Sequence, residues 1–368
     1  MASQPMPRSV TVAAAQLGPN QLETPREEIL ARMVRTDADP APASLKLMDE
    51  AAASKVRIIV FPELALTTFF PVKLIKDADE ISKFFEPASP SSPYAVLETP
   101  HAKPLVDKAH ALGMDFYFGY AERWTAEDGT TTDYNTTLYY SVAAGQAIAK
   151  YRKVHLPGTV EPIEDPKAYQ QLEKRYFKPG DIGFQAFRAP GLVEGAVKAE
   201  DAAANGTDGK GDPILGMLIC NDRRWAEAWR AYGLQGAELV LEGYNTTMWA
   251  PQYEGSPEEQ RALAEFHHRL SCQAGSYGNA CWGVHAAKCG EENGQWMIGG
   301  SMVVDPDGRV VAESATLGDE LVVATLDLAR CRKGKERVFN FARHRRTEHY
   351  GILLEQVGVK EVPLLGRS

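Results

Sequence analysis

The stretch LGMLICNDRRW, residues 215–225, joins an apolar half to a polar half. Its apolar residues 215–219 are typical of a buried strand, and WAEAWR at 225–230 has a helical pattern. The two patterns predict a strand-to-helix turn at Cys220. Backbone N–H groups at such a turn, and the nearby Arg223 and Arg224, would favour the thiolate form of the cysteine. Cys220 is therefore a candidate nucleophile, although an isolated free cysteine is more often part of a core.

Two other apolar strands are followed by a reactive side chain. The run VRIIVF at 56–61 stops at Pro62 and precedes Glu63, and the run AIAKY at 147–151 leads to Lys153. Strand ends on one sheet edge bring together side chains that are distant in sequence. A carboxylate could accept the thiol proton, and an ammonium group could stabilise the oxyanion of a tetrahedral intermediate. The sequence thus predicts a site built from glutamate, lysine and cysteine.

The remaining chain alternates strand and helix patterns without a glycine-rich phosphate loop, which indicates an α/β enzyme with no nucleotide site. Helices are predicted over 42–55, 100–112 and 257–274. The last of these carries Leu263, Phe266, Leu270 and Ala274 on one face, which we expect to be its buried face. Residues 159–183 are predicted to form a long ordered loop, and residues 194–212 a flexible insertion rich in alanine, glycine, aspartate and asparagine.

Composition excludes several classes of protein. A net charge of −9 argues against a nucleic-acid surface or an anionic membrane surface, and no apolar run reaches membrane-spanning length. Residues 1–7 lack the apolar segment of a signal peptide. Five cysteines without a CxxC pair, including the loosely clustered Cys272, Cys281 and Cys289, are typical of reduced thiols rather than a zinc site. We therefore expect a cytoplasmic protein with no nucleic-acid, membrane or metal partner.

Three segments resemble the signature blocks of the nitrilase (carbon–nitrogen hydrolase) superfamily: VFPELALTTFFP at 60–71, KYRKVHLPG at 150–158 and CNDRRW at 220–225. The third is similar to the branch of N-carbamoyl-D-amino acid amidohydrolases, and the likeness spans about residues 10–354. The resemblance implies a four-layer α-β-β-α sandwich. It also implies a single domain over residues 8–354 with a C-terminal tail at 355–368.

By this resemblance, Cys220 would be the nucleophile, Glu63 the general base, Lys153 the oxyanion stabiliser and Glu173 a second acidic group. The substrate would be bound by the following residues: His155, Asn221, Arg223, Arg224, Asn245 and Thr246. The implied reaction hydrolyses the carbamoyl C–N bond of N-carbamoyl-D-amino acids through a carbamoyl thioester, giving the D-amino acid, carbon dioxide and ammonia. No metal or organic cofactor is implied, and relatives commonly form homodimers or homotetramers.

Two positions depart from the branch: Val72 stands where arginine is usual, and Gln171 stands where histidine is usual. Three alternatives therefore stay open. The chain could be another amidase or a ureidopropionase-like enzyme, or a catalytically silent relative used for binding. It could also be an unrelated thiol hydrolase, in which case His155, His267 or His268 would lie within hydrogen-bond reach of the Cys220 sulfur.

Overall fold

The computed structural model describes residues 8–34, 47–165, 167–198 and 211–365. Its strands are β1 (Ser9–Gln16), β2 (Ile58–Val60), β3 (Phe85–Ala88), β4 (Asp115–Thr125), β5 (Thr131–Ser141), β6 (Gln146–Arg152), β7 (Phe187–Arg188), β8 (Ile214–Ile219), β9 (Leu239–Tyr244), β10 (Trp282–Ala287), β11 (Cys289–Glu292), β12 (Gln295–Ile298), β13 (Met302–Val304), β14 (Val310–Glu313) and β15 (Glu320–Asp327). Its α-helices are α1 (Arg26–Met33), α2 (Leu47–Ala53), α3 (Ala78–Ser82), α4 (Lys103–Leu112), α5 (Glu173–Tyr176), α6 (Ala226–Leu234), α7 (Pro257–Asn279), α8 (Arg330–Lys333), α9 (Phe341–His344) and α10 (Ile352–Glu355).

The strands form two large sheets and one small hairpin. The first sheet has the order β15-β1-β2-β4-β5-β6, with β3 also paired to β4, and the second has the order β14-β13-β10-β9-β8-β7. The neighbours β1, β2 and β4 are parallel, as are β8, β9 and β10, while the outer pairs β1–β15 and β4–β5 are antiparallel. Strands β11 and β12 pair with each other outside both sheets.

Side chains that alternate along the strands divide the interior into layers. Val12 of the first sheet and Leu241 of the second belong to one apolar cluster between the sheets. Ile59 points the other way and clusters with residues of α1, α2 and α4, and Val240 clusters with residues of α6. Helices therefore cover the outer face of each sheet. The predicted four-layer α-β-β-α sandwich is confirmed.

Helix α7 is longer than predicted and packs through the opposite face. Leu263, Phe266 and Leu270 are 53%, 57% and 52% exposed. Small and polar residues are buried instead: a Cβ atom on Gly275 would lie 2.2 Å from the ring of Trp229 in α6. The prediction of which face is buried was wrong, because close approach of two helices requires a small residue and not an apolar stripe.

Other features of the prediction can also be located. The loop predicted over 159–183 contains the short helix α5. Of the predicted insertion at 194–212, residues 199–210 lie outside the described residues, while Ala196 packs against the core between the sheets. Within the described ranges, no helix combines the length and the hydropathy needed to cross a membrane. The boundaries of the single domain and of its tail stay predictions.

The two sheets approach most closely around residues 61–63. A Cβ atom on Gly243 of β9 would lie 2.5 Å from the Glu63 nitrogen, and one on Gly119 of β4 would lie 2.9 Å from the Pro62 oxygen. The Tyr117 hydroxyl accepts a hydrogen bond from the Gly243 nitrogen at 3.0 Å and donates one to a carbonyl of β8 at 2.8 Å. Glycine on both sides thus lets the segment that carries Glu63 pass between the sheets.

Candidate active site

Glu63, Lys153 and Glu173 form a fully buried ionic group. Glu63 follows β2, Lys153 follows β6 directly, and Glu173 begins α5. Lys153 Nζ donates to Glu63 Oε1 at 2.7 Å and to Glu173 Oε2 at 2.6 Å. An ammonium group has three N–H donors, so these two bonds leave one for a substrate atom.

The Glu63 carboxylate is held by four donors. Its Oε1 accepts from Lys153 Nζ and from Asn135 Nδ2, the latter at 2.7 Å. Its Oε2 accepts from the backbone nitrogen and the side-chain Nδ2 of Asn245, at 3.1 and 3.0 Å. Asn135 was not among the predicted site residues; the available signal was an asparagine within an otherwise strand-like segment. These contacts fix the orientation of the carboxylate.

Cys220 follows β8 directly and lies at the opening of the turn Cys220–Arg224. Its φ of 49° is in the left-handed region, and its Sγ donates to the Asn245 carbonyl at 3.1 Å. Burial raises the pKa of the Cys220 thiol to about 12, and the charge of Glu63 adds to the rise while that of Lys153 opposes it. The expectation that Cys220 is a thiolate was therefore wrong, because the loss of hydration on burial raises its pKa more than the nearby cations lower it. The resting group is a thiol that needs a base.

The second carboxyl group of the site, Glu173, has a raised proton affinity. Burial raises the pKa of Glu173 to about 7; the Lys153 ammonium opposes this rise and the Glu63 carboxylate adds to it. Burial disfavours the charged form of Lys153, but its electrostatic interactions with Cys220, Glu173 and Glu63 raise its pKa well above the usual value. Below about pH 7 the lysine is thus charged and Glu173 holds a proton.

Cys220 opens onto a cavity of about 330 Å³. Four of the predicted substrate-binding residues line it: Asn221, Arg224, Asn245 and Thr246. The aromatic residues Phe69, Tyr169 and Trp249 also line it, as does Gln171, which the sequence had marked as a departure. The cavity lining therefore mixes aromatic and apolar side chains with many amide, hydroxyl and charged groups, so it can bind a small molecule with both apolar and polar parts.

Arg223 and His155 are placed away from this cavity, which corrects their predicted contact with substrate. Arg223 is fully buried, and its Nη1 and Nη2 donate to the Cys220 carbonyl at 2.6 Å and to Thr246 Oγ1 at 2.9 Å. His155 Nδ1 bonds Asp222 Oδ1 at 2.8 Å, and its ring stacks on that of Trp225 with centroids 4.7 Å apart. Both side chains brace the turn that carries the nucleophile.

The geometry does not form a cysteine–histidine pair. Within the described ranges, the Cys220 thiol bonds the Asn245 carbonyl, His155 is engaged by Asp222, and His268 Nε2 bonds the Tyr244 hydroxyl at 2.9 Å. His267 lines the same cavity as Cys220, but no hydrogen bond joins these two side chains, both of which the structure describes. The charged groups that act most strongly on the Cys220 thiol are Glu63, which raises its pKa, and Lys153, which lowers it. The arrangement thus supports thiol attack assisted by a carboxylate and an ammonium group.

One group of side chains could be mistaken for a metal site. Ligand atoms of Glu242, Cys272 and His285 lie within 4.8 Å of one another, all buried. His285 Nδ1 is 2.5 Å from Glu242 Oε2, and Arg223 Nη1 is 3.4 Å from Glu242 Oε1. Because a guanidinium already neutralises Glu242, the residues fit an ion pair better than a divalent cation. The expected lack of a metal or cofactor stays a prediction.

Comparisons with known proteins agree with this arrangement. The sequence profile of the carbon–nitrogen hydrolase family matches residues 11–336. An N-carbamoylputrescine amidase of Arabidopsis thaliana is 28% identical over 86% of this chain and 90% of its own. A citrullinase of Francisella tularensis is 27% identical over 83% of this chain and 90% of its own. The crystal structure of a carbon–nitrogen hydrolase from Helicobacter pylori superposes with a TM-score of 0.68 and 19% identity, covering 95% of this chain and 99% of that one.

The raised pKa of Glu173 predicts a pH-dependent stability. Between pH 4.5, the ordinary pKa of a glutamate, and about pH 7, the folded protein keeps a proton on Glu173, whereas the unfolded chain has lost it. The free energy of unfolding should therefore decrease as pH rises through this range, and Glu173→Gln should remove that part of the decrease. Urea denaturation at a series of pH values measures it, with the exposed Glu227→Gln as control. Parallel curves for the wild type and Glu173→Gln would contradict the assignment.

Proposed function

Because this chain belongs to the carbon–nitrogen hydrolase family, we propose that it hydrolyses the carbamoyl C–N bond of N-carbamoyl-D-amino acids. It is an amidohydrolase of that family, and the substrate is the part that we propose. The observation that carries the proposal is that Arg224 lines the same cavity as Cys220. A guanidinium can hold both oxygens of a free α-carboxylate, which otherwise loses its hydration on entering the cavity.

We propose that the reaction begins with transfer of the Cys220 proton to Glu63. The sulfur then bonds to the ureido carbonyl carbon, and the remaining N–H of Lys153 stabilises the oxyanion that forms. The intermediate collapses when the amino-acid nitrogen takes the proton from Glu63 and leaves, which restores the Glu63 carboxylate. The D-amino acid departs, and a carbamoyl thioester remains on Cys220.

The second half of the reaction repeats these proton transfers, with water in place of the thiol. Water loses a proton to Glu63 and attacks the thioester carbonyl, and the C–S bond breaks as the Cys220 thiol recovers its proton. The released carbamic acid decomposes to carbon dioxide and ammonia. Glu173, which holds a proton near neutral pH, would keep the charge around Lys153 balanced through both halves.

A second candidate is a ureido compound that carries an amine instead of a carboxylate. Glu254 lines the same cavity and could pair with such a cation. The named substrates of two relatives each have a carbamoyl-amino group: N-carbamoylputrescine carries an amine at its other end, whereas citrulline carries both an amine and a carboxylate. The two candidates share the chemistry at Cys220 and differ in which charged residue, Arg224 or Glu254, holds the distal group.

The proposed covalent step predicts that Cys220→Ala abolishes ammonia release. We expect only a modest decrease in its melting temperature, because the side chain is buried but the substitution removes a single sulfur atom. Serine variants of the other four cysteines, Cys272, Cys281, Cys289 and Cys331, should keep activity and serve as controls. Turnover by Cys220→Ala at the wild-type rate would exclude covalent catalysis at this residue. Ammonia release by the wild-type protein would itself exclude a catalytically silent relative.

The proposed carboxylate contact predicts that Arg224→Ala loses activity selectively. With N-carbamoyl-D-amino acids, kcat/KM should fall by roughly 10- to 100-fold, since a charged hydrogen bond is lost. With the corresponding amides the change should be several-fold smaller, and Arg309→Ala on an exposed turn should behave as the wild type. Equal losses on acid and amide substrates would favour a general amidase, and faster hydrolysis of an amine substrate would favour the Glu254 candidate.

We also propose that the chain forms a homodimer or homotetramer. Exposed apolar residues lie on one face of α7, and others lie in the C-terminal segment: Leu263, Phe266, Leu270, Tyr277, Ile352, Leu354, Val357 and Leu365. Exposed apolar side chains grouped on one helix face are typical of an interface. Because Leu263 also lines the cavity, a second copy on α7 would reach the rim of the active site.

This interface predicts that two charges on α7 separate the subunits. Phe266→Glu combined with Leu270→Glu should shift the protein to a monomer in sedimentation velocity, because carboxylates would be buried without partners. Val311→Glu, at an exposed apolar position on β14, is the control and should leave the assembly unchanged. A wild-type protein that sediments as a monomer at micromolar concentration would contradict the proposal.

A further inference from the structure

The turn that carries Cys220 is held from behind by a buried cation. Cys220 has a φ of 49°, a left-handed conformation that a non-glycine residue keeps only where its surroundings hold it in place. The Cys220 carbonyl accepts a hydrogen bond from Arg223 Nη1 at 2.6 Å. The other end of the same guanidinium bonds Thr246 Oγ1 at 2.9 Å. Arg223 therefore connects the nucleophile turn to the end of β9.

Arg223 is a charged group with no access to solvent. Its side chain is 0% exposed, and it lies over the ring of Tyr244 at 4.6 Å from the centroid. A buried cation is unfavourable unless a counter-ion is close, and removing that counter-ion leaves an uncompensated charge. The carboxylate closest to it is Glu242, whose Oε1 is 3.4 Å from Arg223 Nη1.

Glu242 is itself fixed on its far side. Its side chain is 0% exposed, and His285 Nδ1 lies 2.5 Å from Oε2. Glu242 is in β9 and His285 is in β10, and the two residues are register partners in adjacent parallel strands. The Glu242 carboxylate is thus fixed on the second sheet between His285 and Arg223. It does not line the cavity.

We propose that Glu242 is a positioning residue for the nucleophile: its carboxylate holds Arg223, which in turn holds the Cys220 backbone and the Thr246 hydroxyl. The inference rests on the proposed function in one respect, since it takes Cys220 as the nucleophile. It assigns a role to a buried glutamate that touches neither the cavity nor the Glu63–Lys153–Glu173 group.

The test replaces Glu242 with glutamine, which keeps its shape and removes its charge. With an N-carbamoyl-D-amino acid as substrate, the kcat of Glu242→Gln should fall by about 10-fold or more while KM changes by less than about threefold. The reason is that the variant loses the alignment of Cys220 and not a contact with the substrate. The rate at which iodoacetamide alkylates Cys220, followed on its peptide by mass spectrometry, should fall by a similar factor. Unchanged kcat and alkylation, or a change in KM alone, would overturn the proposal.

Glu86→Gln is the matched control. Glu86 is a buried carboxylate of β3 that pairs with Arg26 and His101, outside the cavity. Its glutamine variant should lower the melting temperature but keep kcat and the alkylation rate. If Glu242→Gln does not fold, Arg223→Lys provides the test: it keeps the charge next to Glu242 but cannot reach Cys220 and Thr246 together. Wild-type kcat in Arg223→Lys would overturn the proposal.

Two further outcomes separate this proposal from others. Zinc bound stoichiometrically to the purified protein and lost in Glu242→Gln would mean that Glu242 is a metal ligand and not a counter-ion, which overturns the proposal. Alkylation of Cys220 needs no substrate, so a wrong substrate assignment would leave this readout unaffected. Retained activity in Cys220→Ala, by contrast, would end the proposed function whatever Glu242→Gln does.

Discussion

One ammonium group between two carboxylates imposes the main constraint on this protein. Lys153, Glu63 and Glu173 are all fully buried, so each charge depends on the others for its stability. The three residues follow or begin different elements, and none can move without leaving a buried charge unpaired. The first sheet therefore has to hold β2 and β6 at fixed positions, and α5 has to dock against them.

The second sheet meets this group through Asn245 and Cys220. Asn245 donates two hydrogen bonds to the Glu63 carboxylate and accepts one from the Cys220 thiol, so one residue joins the proposed base to the proposed nucleophile. The nucleophile turn is in turn held by Arg223. Catalytic geometry here is thus a property of both sheets and not of a single loop.

The sequence predicted the layered fold and offered Glu63, Lys153 and Cys220 as candidates, but not the contacts of every polar side chain. Lys153 and Cys220 could be proposed because each directly follows a strand, and Glu63 because it comes shortly after one. Arg223 was misassigned because adjacent arginines in a turn look alike in sequence, while only the fold decides which one faces a cavity. The buried face of α7 was misjudged for a similar reason: apolar periodicity identifies a face, and packing against Trp229 required glycine instead. The raised thiol pKa depends on burial, which local sequence does not give.

The glycines at 119 and 243 have a consequence for how substrate range can vary. A Cβ atom at either position would collide with the backbone of the segment that carries Glu63, so neither position has space for a larger side chain. Part of the cavity lining comes from the connecting segment 246–254, which is not part of either large sheet. Changes in that segment can reshape the cavity while the reacting groups stay in register. The shape of the cavity can therefore vary without moving Cys220, whereas a change at Arg224 alters the turn that carries Cys220.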